Sequence, residues 1–211
     1  MEKLIFKTIT SQKEMVLVLD KIESNLGIRL PIDYARNSKI VGIFLRNQLS
    51  ACYMLVTKPN FRSLLFVPDQ VKHDNNFFKN EAYEMMEVNG LWIGPALRSP
   101  SMQLRVWAHL VKDIFMSKKR FVLLMQNSSN KCMERFMSMA NPTEIYEGSP
   151  MTMAGEKTHK TIRVSFSTRW SIVLNAPKYL NELFQRQQRA QSFSKKQSYI
   201  RSLKQSNSEF A

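Results

Sequence analysis

Cysteine and histidine are scarce, and each scarcity removes a class of chemistry. Cys52 and Cys132 are the only cysteines in 211 residues. That is too few for the disulfide framework of a small secreted domain. No CxxC pair or Cys/His spacing of the kind that holds zinc occurs, and His73, His109 and His159 stand far apart, so no metal site is expected. Long apolar runs are missing as well. The longest near the N-terminus, residues 15–19, falls far below the roughly 20 residues of a membrane span. The opening Met1-Glu2-Lys3 lacks the charged-then-apolar build of a secretory leader, so a cytoplasmic, reducing location is the expectation. Acidic residues are the last shortage: 17 Asp and Glu stand against 31 Lys and Arg, a net charge of +14. That excess says nothing about fold, but it attracts acidic partners such as nucleic acid, an anionic membrane face, a polyanionic cofactor or an acidic protein.

What is present suits one folded domain. The chain is 44% hydrophobic and 23% charged, ordinary values for a globular core. Residues 4–8 read as a strand. Ser11 and Glu14 form a capping-box pattern that opens a helix to about Asn25, and Gly27 ends it. Residues 31–38 read as loop, 39–46 and 49–57 as a hairpin, 61–67 as a short strand, and 69–80 as loop. Gly90 and Pro95 oppose a helix near Ile93, so residues 86–93 read as strand. Ser99 and Pro100 open a helix whose apolar stripe is Leu104, Trp107, Ala108, Val111, Ile114 and Phe115. Residues 121–125 form a wholly apolar strand of the kind covered on both faces. Ser129 caps a second helix with Met133, Phe136, Met137 and Ala140 on its apolar face. Strands follow at 144–147, 161–167 and 169–174, and Pro177 starts a last helix to about Arg189. Residues 183–211 carry six Lys and Arg against Glu209 alone. The expected organisation is an α/β domain over 1–182 and a basic helical stub with a flexible tail over 183–211.

One stretch carries chemistry: Leu91-Trp92-Ile93-Gly94-Pro95-Ala96-Leu97-Arg98-Ser99-Pro100-Ser101-Met102-Gln103. It joins a strand to an amphipathic helix. Unpaired N–H groups and the positive end of the helix dipole meet at such a junction and suit a phosphate. Arg98 adds a permanent charge beside it. The stretch resembles the donor-binding signature of the GNAT acyltransferase superfamily, an apolar-x-Pro-x-x-Arg run followed by a turn of small residues. Ile93, Pro95 and Arg98 stand at its first three positions. Ser101 and Gln103 stand where the small residues belong. Element order follows the family over roughly residues 3–175.

The resemblance implies a mixed, mostly antiparallel central sheet flanked by helices, with parallel strands that splay apart near Ile93 and Met125. It implies N-acyl transfer from an acyl thioester, either acyl-CoA or acyl-carrier protein, to an amine. A carrier protein is acidic and suits a basic enzyme. Ile93, Arg98, Ser99, Ser101, Met102, Gln103 and Asn127 are then the candidate donor-binding residues. Glu84 or Glu87 is the candidate general base for the amine. Trp92 and Trp107 read as core, and the thirteen methionines as core filler or as an acyl pocket lining. Phe136 stands nearest to the tyrosine that protonates the leaving thiolate in many members. No Cys or Ser with an adjacent base is evident, so direct attack is expected. Two other readings stay open. The lost glycines suit an inactive GNAT-like binding module. The net charge and tail suit a nucleic-acid-binding protein, although no DNA-reading helix or RNA-binding aromatic signature is present. A channel between the strands that end at Ile93 and Met125 would mark a donor site; a packed seam would mark a scaffold.

Overall fold

Ser11 begins the first helix, α1 (Gln12–Leu26), and Gly27 ends it, both as the spacing predicts. The computed structural model describes residues 3–80, 82–128, 134, 137–149, 161–179, 181–185, 188–189 and 192. The Ser11 hydroxyl accepts the Glu14 N–H at 3.3 Å and donates to the Glu14 carboxylate at 3.1 Å. Gly27 closes the helix at φ +69°, a left-handed conformation that lets its N–H reach the Glu23 carbonyl at 2.9 Å. The inner face of α1 lays Val18 and Ile22 on the sheet.

Among the described residues that sheet has seven strands. They are β1 (Leu4–Ile9), β2 (Ser38–Leu45), β3 (Gln48–Val56), β4 (Met85–Ile93), β5 (Phe121–Asn127), β6 (Thr143–Gly148) and β7 (Ile162–Thr168), in the order β1-β2-β3-β4-β5-β7-β6. Only β4 and β5 run parallel; every other neighbouring pair is antiparallel. Arg46 and Asn47 join β2 to β3 with φ of 50° and 62°, the left-handed pair that matches hairpin twist.

Helices cover both faces. α1, α2 (Ile32–Arg36), α3 (Arg62–Leu65) and α4 (Asp69–Asp74) belong to one side, and α5 (Pro100–Met116) and α6 (Arg169–Leu174) to the other. β5 shows why its sequence is apolar throughout. Phe121 and Leu123 pack with Phe66 and Phe77 on the α3 side, while Val122 and Leu124 pack with Val106 and Leu110 on the α5 side.

Four segments differ from the sequence expectation. Residues 31–38, read as loop, hold α2, and residues 69–80, read as loop, hold α4 and a 3-10 turn at Asn76–Lys79. The run 61–67, read as strand, is centred on α3. A strand would spend its N–H groups on a neighbouring strand. The first turn of a helix leaves them unpaired, and here the Ser63 N–H donates to the buried Glu87 carboxylate at 3.1 Å. The run 169–174, also read as strand, is α6. Thr168 caps it by accepting the Ser171 N–H at 3.1 Å, and only Ile172 of its six residues is buried. Most of the expected helix from Ser129 lies outside the described residues, as does the tail from residue 193 onward. Met137 and Ala140, which are described, pack on the α5-side core as expected.

Candidate functional site

The strand pair β4–β5 comes apart. It is joined at Met85 with Phe121, Met86 with Val122 and Glu87 with Leu123. Among the described residues, beyond those three rungs β4 pairs only with β3, and β5 only with β7. The facing edges of 88–93 and 124–127 therefore carry N–H and C=O groups that a polar ligand entering between them can pair. A bulge in β4 contributes to the parting. Cys52 faces Trp92 while Met54 faces Asn89, so Gly90 and Leu91 share the place opposite Tyr53. Gly90 takes φ +58°, and a Cβ there would stand 2.6 Å from Ile22 Cδ1, so glycine is required on both counts.

A cavity of about 510 Å³ opens on the α5 side of this divergence. Val88 and Leu91 of β4 and Leu124 of β5 form its floor, so it touches both parting strands. Ile93, Met125 and residues 98–103 do not line it. The apolar stripe of α5 faces it. Leu104, Trp107, Ala108, Val111, Ile114 and Phe115 all line the cavity, while Val106, Leu110, Asp113 and Ile114 are the buried residues of the helix. The stripe expected to pack into the core does so fully only at Ile114. The far wall is α6 and the helical residues after it, with Tyr179 stacked against Trp107 at 6.1 Å between ring centroids.

The opposite face holds a buried polar cluster around Glu87. Its Oε2 accepts the Tyr34 hydroxyl at 3.1 Å, and its Oε1 accepts the Ser63 N–H at 3.1 Å and Asn89 Nδ2 at 3.3 Å. Asn89 Nδ2 also donates to the Tyr34 oxygen at 3.0 Å. Arg62 lies close enough to act on Glu87 by its charge, and its guanidinium stands over the Phe66 ring at 5.1 Å. Burial pushes the Glu87 carboxyl above the usual glutamate range, against the opposing pull of the Ser63 N–H, the Tyr34 hydroxyl and Arg62. The residue occupies the last rung before the strands part. Glu84 does not share this position. It ends a 3-10 turn ahead of β4, with a carboxylate oxygen 4.0 Å from Arg120.

The expected turn between β4 and α5, with Ser99 as cap, is present, and it uses part of its own N–H capacity. Ser99 caps α5: its carbonyl accepts both the Met102 and Gln103 N–H at 3.0 Å, and its hydroxyl lies 2.7 Å from that of Ser101. Pro100 supplies no N–H. Arg98 and Ser101 are exposed, Met102, Gln103 and Ile93 half-buried. Asn127 ends β5, paired with Ile162 of β7. Sequence reasoning missed Gln126, whose Oε1 is buried without a hydrogen-bond partner on the strand edge just past the divergence. It also missed Tyr34, Ser63 and Asn89. Only the last carried a signal, as a polar residue inside an apolar strand two positions from Glu87.

A seven-stranded mixed sheet with one parallel pair that opens at its end is the fold of the GNAT N-acetyltransferases. The chain is similar in structure to FeeM, an N-acyl amino acid synthase from uncultured soil microbes, at a TM-score of 0.57 and 8% identity over 82% of this chain and 94% of that one. It is similar to a GCN5-related N-acetyltransferase from Brucella melitensis at a TM-score of 0.54 and 11% identity, over 85% of this chain and 82% of that one. A probable acetyltransferase from Staphylococcus epidermidis ATCC 12228 gives a TM-score of 0.54 and 9% identity, over 79% and 99%. No protein-family model matches the sequence, and no curated protein sequence matches it significantly.

Proposed function

We propose that the protein moves an acyl group from a thioester to an amine by direct attack, at the point where β4 and β5 part. The observation that carries this reading is the parting itself, with a cavity on one face and a buried carboxylate at its last rung. The donor's polar end sits at Arg98 to Gln103, where Arg98 pairs with a phosphate group and the start of α5 favours its charge. Its amide arm runs between the strands, and the unpaired Gln126 Oε1 is an acceptor suited to an amide N–H. A phosphopantetheine arm, shared by coenzyme A and by acyl-carrier protein, has this chemistry. The net charge of +14 favours the acidic carrier as the form delivered.

Gly94 donates to the Ser50 carbonyl of β3 at 2.8 Å. Amide direction alternates along a strand, so the Ile93 N–H turns the other way, toward the wedge. There it polarises the thioester carbonyl and stabilises the negative charge that develops on its oxygen. The amine nitrogen attacks the carbonyl carbon, the C–N bond forms, and the C–S bond breaks. Glu87 takes the amine proton and later returns it to solvent, and the thiolate leaves and takes a proton from solvent, so the products are the amide and the free thiol. Cys52 is no rival nucleophile: it is fully buried, and burial pushes its thiol up to about 12.

The test is thiol release from acyl-coenzyme A and acyl-carrier protein in the presence of a panel of primary amines, with mass spectrometry of the products. Amine-dependent thiol release with an N-acyl product is expected. Absence of both release and thioester binding would overturn the reading in favour of an inactive scaffold.

A further inference from the structure

We infer that the cavity beside α5 receives the hydrocarbon chain of a medium or long fatty acyl group, so that the donor is a fatty acyl thioester and not an acetyl one. This rests on the donor position proposed above and adds the substrate class. Three observations carry it.

The first is the wall chemistry. Among the described residues, Lys112 and Tyr179 are the only lining side chains with a charged or hydroxyl tip; the rest are aliphatic, aromatic or methionine. Water needs two to four polar partners to settle in such a space, and this wall offers few. The second is continuity. Val88, Leu91 and Leu124 belong both to the parting strands and to the cavity. A chain attached to a carbonyl near Leu91 therefore enters the cavity without crossing a packed layer. The third is reach. The lining extends along α5 from Leu104 to Phe115, about 16 Å at about 1.5 Å per residue, which matches an extended chain of about a dozen methylene groups. An acetyl group would fill only the floor at Val88 and Leu91. A space of about 510 Å³ lies instead within the range of pockets that hold whole small molecules.

The sides of the site divide accordingly. The chain lies on the α5 face, and Glu87 lies on the face of α2 and α3. The amine then approaches from the side that the hydrocarbon does not occupy.

Trp107 and Trp170 both line the cavity, so their fluorescence reports its occupancy directly. The experiment titrates the full chain with acetyl-, octanoyl- and dodecanoyl-coenzyme A and follows tryptophan emission together with calorimetry. The expected result is tighter binding with length, up to about fourfold for each methylene that the cavity buries, with an emission change that Trp170→Phe reduces. Ala108→Trp and Ala176→Trp each place a bulky ring in the cavity from a small lining residue. Both should weaken dodecanoyl binding at least tenfold and leave acetyl binding within about twofold, at unchanged far-ultraviolet circular dichroism. Acetyl-coenzyme A bound as tightly as the dodecanoyl thioester, or a chain preference that survives both tryptophan variants, overturns this inference and leaves the acyl-transfer reading standing. Failure to bind a thioester of any length overturns both.

Discussion

Replacing Glu87 by Gln tests the catalytic side of the site at nearly constant shape. The carboxylate accepts hydrogen bonds from Tyr34, Ser63 and Asn89, and the Arg62 backbone N–H also favours its charged form. A glutamine keeps its oxygen for the Ser63 N–H and turns its amino group toward the Tyr34 oxygen. It loses one acceptor for the tyrosine proton, a cost of about 1–3 kcal/mol for a buried bond. The variant is also relieved of burying a charge, which offsets part of that cost. Stability should therefore move by no more than about 2 kcal/mol in urea titrations, whereas a lost general base should lower kcat/KM by about 10²–10⁴. The pH profile separates the two effects. Burial holds the Glu87 carboxyl above the usual value of 4.5, so the wild-type rate should climb with pH along a limb lying above 4.5. In Glu87→Gln that limb should vanish. Tyr34→Phe removes a hydrogen bond that favours the charged form, so the carboxyl should rise further and the limb should move to higher pH. The same shift has a stability sign. A carboxyl raised in the folded state holds its proton there more tightly than in the unfolded chain. Wild type should thus lose stability as pH rises from 4.5 through the raised value, and Glu87→Gln should not. Amine-dependent thiol release against pH is the assay, and a Glu87→Gln enzyme with unchanged rate and unchanged acid limb would refute the reasoning.

Four further outcomes follow from the same geometry. Arg98→Ala should weaken thioester binding by about 1–3 kcal/mol in calorimetry, and unchanged binding removes Arg98 from the donor site. Gly90→Ala should cost about 2–4 kcal/mol in thermal or urea unfolding, from a positive φ and a Cβ placed 2.6 Å from Ile22 Cδ1; a neutral change contradicts the bulge. Mass spectrometry of protein quenched during turnover should find no acyl group on Cys52, whose thiol is buried and raised to about 12, and an acyl adduct there replaces direct attack with a covalent path. Truncation after Arg189 removes four of the six basic residues of 183–211. It should weaken binding of acyl-carrier protein at low salt and matter less at high salt, and equal binding by both forms dismisses a steering role.

What was legible in the sequence was whatever local pattern decides. Ser11 with Glu14, the Arg46-Asn47 turn, Gly90, and Ser99 with Pro100 each act through their own backbone, and each element they bound lies close to where it was read. The short apolar runs 61–67 and 169–174 have no period that separates strand from helix. Their outcome depends on distant partners, a buried Glu87 that needs N–H donors and a Thr168 that caps α6. Helix α5 is apolar on more than one side, so composition could not say which stripe meets the sheet and which faces a cavity. The candidate base could be narrowed to Glu84 or Glu87, but which of them is buried turns on where β4 begins, one residue after Glu84. Tyr34 reaches Glu87 across 53 positions of chain, and no pattern in one sequence records that meeting.

The three rungs between β4 and β5 also have a mechanical meaning. Among the described residues they are the only strand rungs between a four-stranded half-sheet, β1 to β4, and a three-stranded half, β5 to β7, extended just outside the strands by the Arg120 N–H on the Glu84 carbonyl at 2.8 Å. By comparison, β5 and β7 are paired at seven positions. Such a seam is where a cooperative fold is weakest, and the two halves should exchange their amide hydrogens as separate units. A donor whose arm bridges the open edges would supply the missing rungs. Binding would then raise amide protection on both flanking strands at once, in residues 88–93 and 124–127, and fuse the two halves into one cooperative unit.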